Sequence, residues 1–237
     1  MEPVELGDLD PFGLFDAEAA RLDRFFSPLD QAGWRAPSRC VGWSVRDVLA
    51  HLAGEELYNH ACLDGDVAGF FARLHREGVG GSGSFGDFNQ RCVRQRRPLP
   101  VEQVLAEWRA ANGQTRRRMR ELGRDGLLET STGRYPAGLQ TFHYASEYAT
   151  HADDVGAPVG AGEEPGRIRW RASVGRFALR EQGAPVEVAA SGRGVVVRVA
   201  DLTAELSERD FVTATVARLP EDHALDRRVR DALACLA

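Results

Sequence analysis

The stretch "GWSVRDVLAHLAGEELYNHACL", residues 42–63, decides how the first half of the chain folds. Ser44 followed by Asp47 is a capping-box start, in which the two residues exchange side-chain and backbone hydrogen bonds. The run "VLAHL" continues as a helix that faces a core, and it carries His51 in its middle. Upstream, "DPFGLFDAEAARLDRFFSPLDQ" places Phe12, Phe15, Ala19, Leu22, Phe26 and Leu29 on one helical stripe. Downstream, "LPVEQVLAEWRAANGQTRRRMREL" keeps helical period through Val101, Val104/Leu105, Trp108, Thr115, Met119 and Leu122. A fourth helix is expected from about Pro136 to Val155. Residues 63–97 read as a long glycine-rich crossover with one short helix near 85–93, a candidate lid. Four helices with one long connection make a bundle.

Composition changes at "GAPVGAGEEPG", residues 156–166, which reads as a linker. The expected organisation is therefore a helical domain over 1–157 and a smaller α+β domain over 166–237. In the latter, "APVEVAASGRGVVVRVADL" reads as two β-strands around a Ser-Gly-Arg-Gly turn. "RWRASVGRFALREQG" suits a helix or a strand, Ser207 with Asp210 starts a helix, and "ALDRRVRDALACL" forms the last one. The fold class is α+β.

The chain has 237 residues, 43 % apolar and 27 % charged, with a net charge of −5. A duplex-binding surface is not expected from that balance. No segment reaches the roughly 18 apolar residues of a membrane span, and the chain is expected in the cytoplasm. All 30 basic residues are arginine, so Schiff-base or lysine-nucleophile chemistry is excluded. The four cysteines, Cys40, Cys62, Cys92 and Cys235, contain no C-x-x-C pair and read neither as a disulfide framework nor as a thiolate zinc knuckle.

The chemistry centres on "FHYASEYATHADDVG", residues 142–156, where His143, Glu147 and His151 fall at steps of four. Side chains one helical turn apart lie about 6 Å apart at their bases, close enough to share one ion. Residues eight apart are separated by about 12 Å along the axis. The helix thus offers His143 with Glu147, or Glu147 with His151, and a third ligand must come from another helix. His51 is the candidate; the alternative is a core histidine satisfied by a backbone carbonyl or a facing carboxylate. Glu55, one turn on, is a further ligand or an acceptor behind one. His60, His75 and His223 read as ordinary polar positions.

These residues resemble a known family. "APSRCVGWSVRDVLAHLAGEE", followed about 90 residues later by "FHYASEYATHADDVG", is similar to the mycothiol-dependent maleylpyruvate isomerase family. The resemblance implies a DinB-like four-helix bundle and a small, sterol-carrier-like C-terminal domain. It implies His51, Glu147 and His151 as ligands of a divalent ion, zinc by default, with mycothiol as co-substrate. It further implies Asp154 as the residue orienting a ligand imidazole and Arg218 in "VARLP" as a fork for an anionic substrate, while His143 matches no ligand of the family and reads as a pocket residue or as a group supporting the ligands from behind. A metal-activated thiol would attack a small electrophile, with transfer or cis–trans isomerisation as outcome. The expected partners are small molecules, not nucleic acid or membrane, and the expected state is a monomer. Two rivals stand beside this reading. One is a structural metal site closed by Glu55; the other is a carrier holding an apolar ligand under the strands of 186–199.

Overall fold

The computed structural model describes residues 6–77, 85–192 and 194–236. It has the expected α+β class, with an N-terminal helical part and a smaller β-containing part. Pro11–Pro158 form one compact unit. The residues from Val159 onward form the other, together with the described residues before Pro11.

The first unit contains α1 (Pro11–Phe26), α2 (Gln31–Arg35), α3 (Val45–Asp64), α4 (Val67–Arg76), α5 (Phe85–Arg96), α6 (Val101–Leu122) and α7 (Ala137–Asp154). Helix α3 begins on the capping box: Ser44 Oγ accepts from the Asp47 amide, and Asp47 Oδ2 accepts from the Ser44 amide at 3.0 Å. It ends on Gly65, whose φ of +67° is the left-handed conformation that closes a helix at low cost to glycine. Helix α1 packs on α7, and α3 packs on α6 and α5. The approach of α3 to α5 is close at Gly54, where a Cβ would lie 2.2 Å from that of Cys92.

Aromatic rings fill the centre of this unit. Phe15 meets Tyr148 edge-on at 4.9 Å between centroids, and Phe26 meets Trp108 edge-on at 5.7 Å. Inside the same core lies a carboxylate, Glu56, which accepts from Asn112 Nδ2 at 3.0 Å, Tyr148 OH at 2.8 Å and Thr115 Oγ1 at 2.5 Å. Tyr148 OH in turn accepts from Trp108 Nε1 at 3.0 Å. Buried polar oxygens are tolerated in a core when they are hydrogen-bonded in this way.

Several elements differ from the sequence reading. Helix α1 stops at Phe26, because Pro28 cannot continue it, and Leu29 lies outside. The crossover holds two helices and not one: α4 is amphipathic, with Val67 and Phe70 buried. The central part of the candidate lid, residues 78–84, lies outside the described residues. A hairpin, β1 (Leu127–Thr130) and β2 (Gly133–Pro136), precedes α7.

The second unit runs α8 (Glu164–Glu181), β3 (Glu187–Ser191), β4 (Gly194–Val199), β5 (Leu202–Leu206), α9 (Glu208–Thr215) and α10 (Arg227–Leu233). The ambiguous segment is helical, and α8 starts inside the stretch read as linker, with a proline in its first turn where no intrahelical donor is needed. The antiparallel sheet has order β3-β4-β5, one strand more than the sequence reading. Val195 and Val197 of β4 are fully buried against Leu179, Phe211, Val229 and Leu233. Apolar side chains of this unit's own helices thus fill the face where the carrier reading required a cavity.

Candidate metal centre

Helix α3 brings His51 to the interior two turns after its cap, 2 % exposed. Helix α7 brings Glu147 and His151, one turn apart on one face. His51 Nε2 lies 3.3 Å from Glu147 Oε1, and His151 Nε2 lies 3.0 Å from the same oxygen. The two imidazole rings stand edge-on, with centroids 4.7 Å apart. One ligand atom from each of the three residues lies within 4.8 Å of the other two, a spacing compatible with a shared cation. Both histidines are almost fully enclosed, whereas the Glu147 side chain keeps 31 % of its surface exposed. The cluster therefore opens to solvent along the carboxylate.

The surroundings orient these groups. Asp154, its side chain completely buried, places Oδ2 3.1 Å from His151 Nδ1. Cys40 Sγ donates to the same Asp154 oxygen at 3.1 Å and stands 3.8 Å from His151 Nδ1. Trp43 covers His51 with 5.2 Å between ring centroids. The loop carrying Cys40 and Trp43 is tied to the end of α7 by Arg39 N–H donating to the Asp154 carbonyl at 2.9 Å.

The donor set, two imidazoles and a carboxylate with one atom each within 4.8 Å of the others, has the chemistry and spacing to hold a divalent ion. Burial alone would depress His151, but the Glu147 charge and the hydrogen bond to Asp154 overcome it and hold its pKa well above the ordinary 6.5. Burial opposes ionisation of Glu147, yet the His151 charge and hydrogen bonds from both imidazoles bring its pKa well below 4.5. Burial and the His151 charge depress His51, against the pull of Glu147. The metal-free cluster thus holds a proton on His151 Nε2, facing Glu147, where a cation would sit. The His151 contribution to stability is complete below pH 6.5 and is lost as pH rises through its raised pKa. The Glu147 contribution is complete above pH 4.5 and is lost as pH falls through its lowered one.

A divalent ion must displace that proton. Zinc affinity is expected to rise with pH, with roughly one proton released per ion below the raised His151 pKa. Calorimetry in two buffers of different ionisation heat measures this directly. Zero release would contradict the arrangement.

The other candidates make contacts of their own. His143 places Nε2 3.5 Å from Tyr135 OH on β2 and is not among the converging atoms. Glu55, the suggested fourth ligand, does not join the set among the described residues either. Arg218 belongs to the second unit, in the turn after α9, where Nη1 donates to the Val216 carbonyl at 3.3 Å. His60 Nε2 lies 3.1 Å from the Ala111 carbonyl, and His223 Nδ1 accepts from the Leu225 amide at 3.2 Å. The sequence reading missed Cys40 and Trp43. Both lie in an irregular loop, and only "RCVGW" immediately before the cap of α3 could have drawn attention to them.

No curated protein sequence matches the chain significantly. Among solved structures, the mycothiol-dependent maleylpyruvate isomerase is similar at 17 % identity over 89 % of both chains, with a TM-score of 0.59. A histidine-to-alanine mutant of a mycothiol-dependent maleylpyruvate isomerase is similar at 16 % over 88 % of both chains, also at 0.59. At that identity the likeness is one of fold. A family model described as the mycothiol maleylpyruvate isomerase N-terminal domain matches residues 15–156, a span that holds α3, α7 and the whole His51–Glu147–His151 cluster. That match covers more than half of the 237 residues, and the chain belongs to the mycothiol maleylpyruvate isomerase N-terminal domain family.

Proposed function

We propose that the protein is a divalent-metal-dependent enzyme that uses mycothiol, activating its thiol for attack on a small electrophile. The outcome is either S-transfer or cis–trans isomerisation of the maleylpyruvate type. The observation that carries this reading is the convergence of His51 Nε2, Glu147 Oε1 and His151 Nε2 inside the span that defines the family. Two imidazoles and a carboxylate suit zinc. Bound there, the ion would supply the positive charge that keeps a thiol in its nucleophilic thiolate form near neutral pH.

The chain's own residues set the rest. Asp154 fixes the proton of His151 on Nδ1 and so directs Nε2 toward the site. The burial of His51 and His151 excludes water from two sides, and the exposed edge of Glu147 leaves the third open for the thiol. Glu55 stands outside the converging set, which favours an open, reactive site over a closed structural one. For an anionic electrophile, Arg218 is the proposed carboxylate fork, and His143 beside Tyr135 is a proposed pocket residue. The four cysteines are thiols not joined in disulfides, which suits a reducing, cytoplasmic setting, and no described helix is long and apolar enough to cross a membrane. We take the protein to act as a monomer on small molecules.

The test is a panel of electrophiles, maleylpyruvate included, incubated with mycothiol and the zinc-loaded full chain. Consumption that requires both thiol and metal is expected. No thiol-dependent turnover of any member would overturn the reading.

A further inference from the structure

Helix α6 turns Gly113, Arg116, Arg117, Arg120 and Glu121 to one side, at steps of three and four. With Asp16 of α1 they line an open cavity of about 450 Å³, a volume within the roughly 300–1,000 Å³ of small-molecule sites. No apolar residue lines it among the described residues, and no member of the metal cluster does. Three guanidiniums face two carboxylates there, an excess of one positive charge.

The arginines are held in place with donors to spare. Asp16 accepts from Arg116 Nη1 through Oδ1 and from Arg120 Nη2 through Oδ2, both at 2.6 Å. Arg116 Nε also donates to Asn112 Oδ1 at 2.8 Å, and Asn112 is itself buried and tied to Tyr148 and Glu56. Arg120 lies over the Phe12 ring, 5.8 Å from its centroid. These contacts fix two guanidiniums without exhausting them. Arg116 Nη2 and Arg120 Nε and Nη1 have no hydrogen-bond partner among the described residues. Arg117 faces Glu121 at 3.9 Å, too long for a hydrogen bond. Arg118, between them in sequence, pairs instead with Asp64 at 2.8 Å.

Gly113 is an independent sign that the space is kept open. A glycine inside a helix weakens it relative to alanine. Packing does not demand this one, since a Cβ there would meet nothing within 4 Å, whereas at Gly54 the neighbouring helix leaves no room for one. An apolar molecule finds no apolar wall in this cavity, and a cation meets a surplus of like charge. A planar guanidinium is shaped to give two parallel hydrogen bonds to a carboxylate or a phosphoryl group.

We propose that the cavity between α1 and α6 binds an oxyanion group, phosphoryl or carboxylate, of a small polar molecule, held by Arg116, Arg117 and Arg120 beside Gly113. This site is separate from the thiol chemistry proposed above and does not depend on it.

The experiment titrates inorganic phosphate and succinate into the zinc-loaded full chain by calorimetry at low ionic strength. The wild type is expected to bind at least one of them with a Kd of about 1 mM or tighter, weakening as salt is added. Arg117→Gln, which removes a charged donor, and Gly113→Met, which fills the cavity without changing its charge, are each expected to weaken binding at least about fivefold. Arg227→Gln removes the same charge from the exposed start of α10 and is expected to leave the affinity within about twofold. Methionine is a better helix former than glycine, so the thermal midpoint of Gly113→Met is expected to match or exceed that of the wild type. Binding of phosphate alone identifies a phosphoryl ligand, of succinate alone a carboxylate, and of both an oxyanion of either kind. Failure of both probes to bind, binding that survives both cavity substitutions, or an equal loss with Arg227→Gln overturns the site.

Discussion

His51→Ala is expected to lose bound zinc and at least about a thousandfold of any thiol-dependent turnover, the several kcal/mol that metal activation contributes. Three features single out this residue. Among the described residues it is the member of the converging set that α3 supplies, so its loss leaves the one-turn pair Glu147 and His151. It faces Glu147 Oε1 with Nε2, while its Nδ1 has no partner among the described residues, so few native hydrogen bonds disappear with it. It is also nearly fully buried, so no exposed side chain stands ready to replace it. The helical circular dichroism spectrum should persist while metal analysis of the dialysed variant falls toward zero. A variant that keeps both zinc and rate would remove His51 from the centre.

The largest stability effect is expected from Trp108→Ala, about 3–5 kcal/mol. Trp108 is 2 % exposed on α6, edge-on to Phe26 of α1 and stacked over Tyr148 of α7, so its ring holds three helices together. Its indole N–H also donates to Tyr148 OH, the group that donates to Glu56. Truncation therefore opens a cavity and loosens the network around a buried carboxylate. Thermal unfolding followed by near-ultraviolet circular dichroism should shift down by roughly 10 °C. Trp108→Phe separates the two contributions, since it restores most of the packing without the donor. A shift under 2 °C for the alanine variant would show that the network is held from elsewhere.

The parts of the fold legible in sequence were those written in local chemistry. Ser44 and Asp47 announced α3, and the four-residue spacing of Glu147 and His151 announced a pair of ligands on α7. The glycine-rich crossover hid α4, whose pattern of Val67 and Phe70 is short and stands beside a segment dominated by glycine. The two strands of the hairpin at 127–136 are four residues long each and β5 is five, too short for alternation to speak. Glu56 was read past in favour of Glu55. The phase of α3 turns one carboxylate into a core of tyrosine, asparagine and threonine and leaves its neighbour at the edge, and only three-dimensional packing fixes that phase. From residues alone two pairings stayed open, His143 with Glu147 or Glu147 with His151. The family resemblance pointed to the second, and the structure brings that pair to His51. Arg218 entered only through the resemblance, because a lone arginine past a helix end has no pattern of its own.

The loop of residues 37–44 has a consequence for how the molecule comes apart. Arg39 and Cys40 fasten it to Asp154 at the end of α7, and Ser44 at its other end begins α3. It works as a splint across the two helices that carry His51, Glu147 and His151. Local opening of α4 can proceed without spreading those three residues, whereas separating them means breaking the splint and the aromatic centre together. Melting of the bundle and dissolution of the ion-binding geometry should accordingly be a single cooperative event.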